Sequence, residues 1–559
     1  MNLIAGDDRR ESIFFPQCLD DYIDSDSEVR IIDHFVDSLN LRECGFKFPK
    51  EDPQGRGRAA YNPADLLKLF IYGYFNGIRS GRKLEKNCHI NLELIWLLKR
   101  LKPDFKTICD FRKNNRKAFK QATAQFTLLC RELKLIAGET IAVDGTIIKA
   151  SNNISKSWSS NKLEKNLKEN EDLVERYLKE LEKLDDDPAP DKNHRKEDIE
   201  HKLEYRQREK EKLSELKKSL DESPNNHLSL TDKDSKSIHK RGRSSVGYNV
   251  QTSVDSLHKL IVCCEVTDKV NDLGLLAPMA KKTKKLLNLK EPCNLPADSG
   301  YYVLDDLKDC EDMGMIPYLP TVNKSSNVQQ GMYGKEAFIY DPQKDTYLCP
   351  NKSTLKKIRT TSQRGRLFNQ YANKNACETC SIKHRCTKAK KRILSRWQHE
   401  QYQERATQRI LENKEMMATR KGTVEHPYGT IKTQFLTNGF LVRGKEMVQA
   451  ECSLAHLAYN LKRVLNIMKF DGLMKILDEK VSTYCKLMAL SKHNKYISYA
   501  LEIIFDKCRA QLMCSTKFSW NRVRRLFFTQ PLNRGLHAHY DEFFKAGRMP
   551  ALPGKNSAS

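Results

Sequence analysis

Apolar side chains recur at helical spacing over the first 135 residues of this chain. Asn62-Pro63 is typical of a helix start, because Asn caps the first turn, Pro fits it and Asp65 complements the helix dipole. A further long amphipathic helix is predicted over 103–135. Short helices with basic residues at their ends are typical of a helix-turn-helix-like DNA-binding domain, and a plain helical bundle is the open alternative.

The pattern changes to that of strands near residue 136. GETIAVDGTIIKAS places β-branched residues on both sides of one acid, Asp144. Two further strand runs, 245–255 and 259–268, predict a hairpin, and a helix and a short strand before Asp298 follow. An isolated carboxylate in an apolar strand is costly unless it is paired, hydrogen-bonded or bound to metal. Asp144 and Asp298 are therefore candidate site residues.

A charged insertion separates the first strand from that hairpin. Residues 161–220 contain 16 Lys+Arg and 18 Asp+Glu, so this stretch is nearly neutral. Leucines at heptad spacing, with Asn170 in the middle of the seam, predict an antiparallel helical hairpin. A flexible charged spacer and a dimerisation arm are the alternatives.

The whole chain has 559 residues and a formal net charge of +26, which indicates a polyanionic partner, with nucleic acid ahead of a membrane surface. The excess lies outside the insertion, and residues 431–559 alone have 21 basic against 9 acidic side chains. We find no apolar run long enough for a membrane span and no signal-peptide core, so we expect a cytoplasmic protein.

Seventeen cysteines in such a chain indicate reduced thiols. Cys377 and Cys380 form a CxxC pair, Cys386 follows, and Cys349 lies upstream after a predicted β-hairpin. Four thiols at this spacing are typical of a tetrahedral structural Zn²⁺ site, with His384 as an alternative ligand. The basic run beside them suggests contact with DNA: Lys388, Lys390, Lys391 and Arg392.

Glu425, in RKGTVEHPYGTIK, is the third candidate acid. Thr423 is expected to cap a helix and so to place Glu425 in its first turn. Three carboxylates can hold two divalent cations about 3.5–4 Å apart for an in-line phosphoryl displacement. Mg²⁺, or Mn²⁺, suits such a site because it prefers oxygen ligands.

These segments together resemble the long insertion-sequence transposases of the DDE class, in the bacterial branch with a cysteine-bearing insert. The resemblance runs from near the start to about residue 465. Its blocks are FFPQCLDDYIDSDSEVRIIDHFVDSL, GRAAYNPADLLKLFIYGYFNGIRSGRKLEKNC, PDFKTICDFRKNN, VDGTIIKASNN, ADSGYY, VEHPYGTIKTQF and LAHLAYNLKR. Their order and completeness make the match specific.

The resemblance implies that Asp144, Asp298 and Glu425 are a catalytic, metal-binding triad. It also implies that Lys432, seven residues after Glu425, contacts DNA near the cleaved end. Related proteins place a Tyr and an Arg seven and four residues before the Glu, where this chain has Ala418 and Lys421. We therefore assign no upstream Tyr, and we expect Lys421 or its neighbour Arg420 to meet a phosphate.

The predicted fold is α+β or α/β, with an RNase H-like catalytic core. We predict a helical N-terminal DNA-binding domain over 1–135, the core over 136–160 and 225–320, the helical hairpin over 161–224, a β-rich cysteine insert over 321–395, core helices with the catalytic Glu over 396–470, and a basic helical tail over 471–559.

The predicted function is metal-dependent cleavage of double-stranded DNA at terminal inverted repeats, followed by strand transfer into target DNA. Synapsis of two ends implies a homodimer on DNA. The alternatives are a catalytically inactive DNA-binding regulator derived from a transposase, and a metal-dependent DNA nuclease without strand transfer.

Overall fold

The computed structural model describes residues 18–48, 60–185, 192–222, 227–240, 243–321 and 326–493. Residues up to Ala489 group as one compact unit with a mixed α/β fold. The predicted basic tail lies outside the described residues from position 494 onwards. Within the described part, every helix is too short or too polar to serve as a membrane span.

The N-terminal region is helical, as its pattern predicts. Asn62 accepts a hydrogen bond from the Ala64 amide at 3.0 Å and so caps the second helix. The helix predicted over 103–135 is two helices, because the backbone leaves helical geometry at Asn115, whose Oδ1 accepts from the Lys47 amide. The helices are α1 (Glu28–Asp37), α2 (Pro63–Phe75), α3 (Gly81–Ile90), α4 (Leu92–Leu97), α5 (Phe105–Asn114) and α6 (Arg116–Glu132).

The first strand, β1 (Ile141–Lys149), is followed by a projecting pair of long helices. Two short antiparallel strands lie at their base. Along the pair, Asn170 Nδ2 donates to the Arg206 carbonyl at 2.9 Å. The elements are β2 (Ser157–Ser159), α7 (Ser160–Asp185), α8 (Lys192–Asp221) and β3 (His227–Ser229).

A central sheet forms around β1. The next elements are β4 (Lys236–Lys240), β5 (Arg243–Asp255), β6 (Ile261–Thr267), α9 (Leu276–Leu287), β7 (Cys293–Pro296), α10 (Leu304–Asp312) and β8 (Met315–Tyr318). The predicted hairpin is the antiparallel pair β5–β6, and β5 pairs with β1 along the whole of β1. The parallel pair β7–β8 joins the other side of β1 through a parallel bridge between Thr140 and Asn294. The strand order is therefore β6-β5-β1-β7-β8, with β4 beside one end of β5.

The cysteine-bearing segment has an antiparallel sheet of its own, in the order β13-β12-β11-β10-β9. The predicted hairpin is the pair β9–β10. Its elements are α11 (Ser326–Gln329), β9 (Ile339–Asp341), β10 (Thr346–Leu348), β11 (Thr354–Gln363), β12 (Arg366–Ala372), α12 (Lys374–Glu378) and β13 (Leu394–Trp397). A separate small core of buried aromatic and aliphatic side chains, including Tyr347 and Tyr371, holds this sheet together.

Three helices complete the described chain: α13 (Glu400–Glu412), α14 (Glu415–Thr430) and α15 (Lys445–His493). A π-helical turn, Ile431–Phe435, continues α14, and α15 changes direction at Lys469, where φ is +61°. The amide of Asn460 on α15 bonds both backbone groups of Ile261, at 2.9 and 2.8 Å. These bonds hold α15 against the backbone of β6.

Candidate active site

Asp144 lies in the middle of β1, opposite Thr252 of β5. Its Oδ1 accepts from the Gly145 amide at 2.9 Å. Burial raises the pKa of Asp144, and the guanidinium of Arg420 and the Gly145 amide oppose that rise. The strand therefore supplies a partly desolvated carboxyl group that needs a cation beside it.

Asp298 follows the end of β7, the strand that joins β1 on the side away from β5. It caps a 3₁₀ turn, Ser299–Tyr301, and its Oδ1 accepts from the Gly300 amide at 2.8 Å. Sheet topology thus brings together two acids that are far apart in sequence.

Arg420 of α14 joins these two acids. Its Nη2 atom lies 2.9 Å from Asp144 Oδ1 and 3.6 Å from Asp298 Oδ2. The sequence predicted a phosphate contact for Arg420, whereas its side chain is only 15% exposed and its guanidinium is paired with the carboxylates. Its chain neighbour Lys421 points elsewhere, because successive helix residues are about 100° apart.

Glu425 lies in the third turn of α14, so the expected cap at Thr423 is wrong. The helix begins at Glu415, and the Thr423 hydroxyl donates to the Thr419 carbonyl at 2.8 Å inside it. The side chain of Glu425 is 64% exposed, and its Oε1 lies 3.9 Å from Lys421 Nζ. The cap was predicted wrongly because a Thr inside a helix can donate to the carbonyl four residues earlier, as Thr423 does.

Tyr428, three residues after Glu425, fixes α14 to the sheet. Its hydroxyl donates to the Asp144 carbonyl at 2.5 Å and lies 2.6 Å from Thr252 Oγ1. Burial raises the pKa of Tyr428 well above its ordinary value, so it stays a neutral donor. Sequence reasoning missed this residue, although a Tyr one turn from a candidate acid was a usable signal.

Asp272, in the turn between β6 and α9, was also missed. Its Oδ1 accepts from Asn249 Nδ2 at 3.0 Å and from Gln251 Nε2 at 2.7 Å. Both amides belong to β5. The sequence signal was a pair of amide side chains two residues apart, and therefore on one face, in a predicted strand.

The basic residues predicted to contact DNA differ in exposure. Lys432, Lys421, Lys388 and Lys390 are exposed, and Lys391 is half-buried. Arg392 is buried and donates to the carbonyls of Cys386 and Tyr333, both at 3.1 Å. The prediction of a DNA contact is therefore wrong for Arg392, because its guanidinium is used inside the cysteine insert.

The four cysteines of the insert line one cavity of about 30 Å³, which His384 does not line. Burial raises the pKa of the Cys386 thiol, and the three other cysteines act on it in the same direction. The only described group of three Cys, His or acidic residues with donor atoms within 4.8 Å of one another is a different one, Cys264, Cys452 and His456. The insert thiols line a common cavity, but their sulfur atoms do not all lie within 4.8 Å of one another.

Two family models match the chain. A transposase domain family (DUF772) matches residues 17–114, which include most of the N-terminal helices. A transposase DDE domain matches residues 348–465, which include Arg420, Glu425 and Lys432.

Among solved structures, the chain is similar to a piggyBac transposase in a synaptic complex with hairpin DNA, determined by cryo-electron microscopy. The identity is 9%, the match covers 88% of this chain and 87% of that one, and the TM-score is 0.28. No curated protein matches the chain.

The two family matches define a transposase. More particularly, the matches support an insertion-sequence transposase of the DDE class, as the sequence motifs predict, and the DDE domain implies a polynucleotidyl transferase.

Proposed function

We propose that this transposase cuts double-stranded DNA at the terminal inverted repeats of its element and joins the freed 3′ ends to target DNA, using Asp144, Asp298 and Glu425. The observation that carries the proposal is the pairing of Asp144 and Asp298 with one guanidinium, that of Arg420. One acid from β1 and one from the turn after β7 converge there on a cation of α14, the helix that carries the third acid.

The same pairing supports a divalent cation at the site. Asp144 and Asp298 offer hard oxygen donors of the kind that Mg²⁺ and Mn²⁺ prefer. The charge of Asp298 also raises the pKa of Asp144, so positive charge nearby would favour the ionised form of Asp144. When bound, Mg²⁺ or Mn²⁺ would activate the attacking oxygen and stabilise the leaving oxygen of the phosphodiester.

The residues of the chain itself have separate tasks in this proposal. Asp144 is fixed by its own strand and by the bond from Tyr428 to its backbone carbonyl, and Asp298 by its turn. Glu425 is exposed on α14 and would complete the triad from the side where DNA would arrive. Arg420 would exchange its carboxylate partners for a phosphate oxygen, and Lys432 and Lys421 would contact the DNA backbone nearby.

We further propose that the central sheet is an RNase H-like core. The strand order β6-β5-β1-β7-β8 supports this, with an antiparallel meander on one side of β1 and a parallel pair on the other. In this arrangement the first and second acids come from neighbouring strands. The N-terminal helices would bind the terminal repeats, and α7 and α8 would form an arm outside the core.

For the cysteine insert we propose one structural Zn²⁺ bound by Cys349, Cys377, Cys380 and Cys386. Their shared cavity supports this assignment, and its dimensions are small enough for one ion. Lys388, Lys390 and Lys391 beside it would contact DNA.

Synapsis of two ends would require a homodimer on DNA in the bacterial cytoplasm.

The test is cleavage and strand transfer on DNA that carries the element's inverted repeats, with and without Mg²⁺. We expect Asp144→Asn, Asp298→Asn and Glu425→Gln each to abolish both reactions while repeat binding persists. The matched control is Glu415→Gln, in the first turn of the helix that carries Glu425. Full joining by any triad variant would refute that residue's role, and cleavage without joining by the wild type would favour the nuclease.

A further inference from the structure

Asp272 is not one of the three proposed acids, yet its carboxylate reaches the same site. Its Oδ1 atom is bound by Asn249 and Gln251, two residues apart on β5. Because side chains two residues apart lie on one face of a strand, both amides come from the same face of the sheet. Asp272 is thus tied to the strand that pairs with the whole of β1.

Two glycines bring the Asp272 carboxylate close to the backbone beside both aspartates. A Cβ atom at Gly145 would lie 2.5 Å from Asp272 Oδ1, and one at Gly300 would lie 3.7 Å from Asp272 Oδ2. Gly145 follows Asp144 directly, and the Gly300 amide is the hydrogen-bond donor to Asp298. Asp272 therefore lies between the two segments that present the metal-binding candidates.

A hydrogen-bonded chain extends this connection to the second acid's turn. The hydroxyl of Tyr301, which is fully buried in the turn after Asp298, donates to Gln251 Oε1. Gln251 in turn donates to Asp272 and to Asn249 Oδ1. The orientation of the Gln251 amide, and with it the turn, depends on an acceptor at position 272.

The negative charge of Asp272 also acts on Asp144. Its described partners are neutral amides and no described cation pairs with it, whereas Asp144 and Asp298 share Arg420. The negative charge of Asp272 is one of the causes that raise the pKa of Asp144. Such a charge strengthens the attraction for divalent cations without being a ligand itself.

We propose that Asp272 is a positioning residue of the transposition site: it holds the segments of Asp144 and Asp298 through Gln251, and its charge increases the affinity of the site for divalent cations. This inference rests on the proposed function, because Asp272 acts through two of the proposed ligands. Outer partners of metal ligands typically account for about 10–100-fold in metal affinity or activity.

The first test is Asp272→Asn in the full chain, which retains the size and one amide oxygen but removes the charge. We expect Mn²⁺ binding without DNA, followed by electron paramagnetic resonance of the free ion, to weaken by about tenfold. Cleavage should need a correspondingly higher Mg²⁺ concentration and should recover towards the wild-type rate at saturation.

Asp272→Ala also removes the acceptor, so its cleavage rate should stay low at saturating Mg²⁺. Wild-type Mn²⁺ affinity in the Asn variant, together with wild-type cleavage in the Ala variant, would overturn the proposal.

The matched control is Asp268→Asn, in the same loop, where an exposed carboxylate pairs with Lys445 at 2.5 Å. It should leave the metal dependence unchanged. If the Asp272 variants do not fold, Asn249→Ala decides, since it removes one of the two amide donors. It should raise the Mg²⁺ requirement in the same direction, and an unchanged requirement would count against the proposal. Activity in Asp144→Asn would refute the triad. Loss of activity in Asp144→Asn, together with wild-type behaviour of Asp272→Asn, would refute the role of Asp272 alone.

Discussion

Arg420 Nη2 lies 2.9 Å from Asp144 Oδ1, so the partly desolvated acid of the central strand is neutralised by the helix that carries Glu425. Arg420 is the largest of the influences that lower the pKa of Asp144 against the effect of burial. One side chain therefore favours the ionised form of Asp144 and contacts both candidate ligands.

Replacing Arg420 should change the pH dependence of DNA cleavage. In Arg420→Ala the pKa of Asp144 should rise further, because the opposing guanidinium is gone. Cleavage needs the ionised acid, so the acid limb of the pH–rate profile should move to higher pH, and Arg420→Lys should move it less. The control is Arg405→Ala, which removes an exposed arginine of α13 that pairs with Glu311 of α10. An unmoved acid limb in Arg420→Ala would contradict this account.

The same raised pKa affects stability in the absence of divalent cations. A group whose folded-state pKa is above its unfolded value stabilises the protein below the unfolded pKa, and this contribution is lost as pH rises through the folded pKa. Asp144 should therefore lower the free energy of unfolding as the pH rises from acid towards neutral. Thermal unfolding at both ends of that range should show greater stabilisation by Mg²⁺ at neutral pH than in acid. Equal stabilisation at both would contradict the direction of the shift.

A buried ion pair connects the N-terminal helices to α15. Arg79 Nη1 lies 3.1 Å from Glu451 Oε1 and also donates to the Gly439 carbonyl at 2.8 Å, and both side chains are buried. Removing one partner of a buried pair leaves the other charge uncompensated, so Arg79→Ala should lower the free energy of unfolding by about 3–5 kcal/mol.

The matched control for Arg79 is the exposed pair Arg116–Glu446, at 2.8 Å. Arg116→Ala should cost about 0–1 kcal/mol, because water and salt screen an exposed pair. Denaturant unfolding of both variants measures the difference. Equal losses would show that burial does not set the strength of these pairs.

The cysteine insert should bind one zinc ion per chain. Cys377→Ser and Cys380→Ser should lose that zinc and unfold the insert locally, because a structural Zn²⁺ contributes its binding free energy to folding. Elemental analysis of the purified protein measures the metal, and limited proteolysis measures the order of the insert. Cys18→Ser, which changes an exposed cysteine outside the insert, should affect neither. Zinc-free wild-type protein whose insert resists proteolysis in chelator would contradict the assignment.

Asn170 should set the register of the helical pair at a cost in stability. It is buried, its Nδ2 bonds the Arg206 carbonyl, and its Oδ1 has no hydrogen-bond partner among the described residues. A buried polar residue in a seam specifies pairing but is less stable than an apolar one, so Asn170→Leu should slow hydrogen exchange in α7 and α8. Lys179→Leu, at an exposed position of α7, is the control. Faster exchange in Asn170→Leu would mean that the single bond outweighs the unpaired oxygen.

Local patterns predicted much of the secondary structure correctly. The Asn62 cap, the strand around Asp144, the hairpin of β5 and β6 and the strand before Asp298 are present, because capping and side-chain alternation depend on near neighbours in the sequence. Helix boundaries were less predictable. The start of α14 was placed at Thr423 because capping and back-bonding by Thr give the same sequence signal.

The sequence by itself determined the transposase class that the two domain matches support, and it predicted a nucleic-acid partner from the +26 charge and three candidate acids, because motifs and charge are properties of residue order. Only the tertiary structure decided which cation faces Asp144 and Asp298, that Arg392 is buried, and that Asp272 reaches the site. These relationships depend on how β1, β7 and α14 are brought together from distant parts of the chain. Long-range pairing is set by sheet topology and burial, which no local pattern of residues specifies.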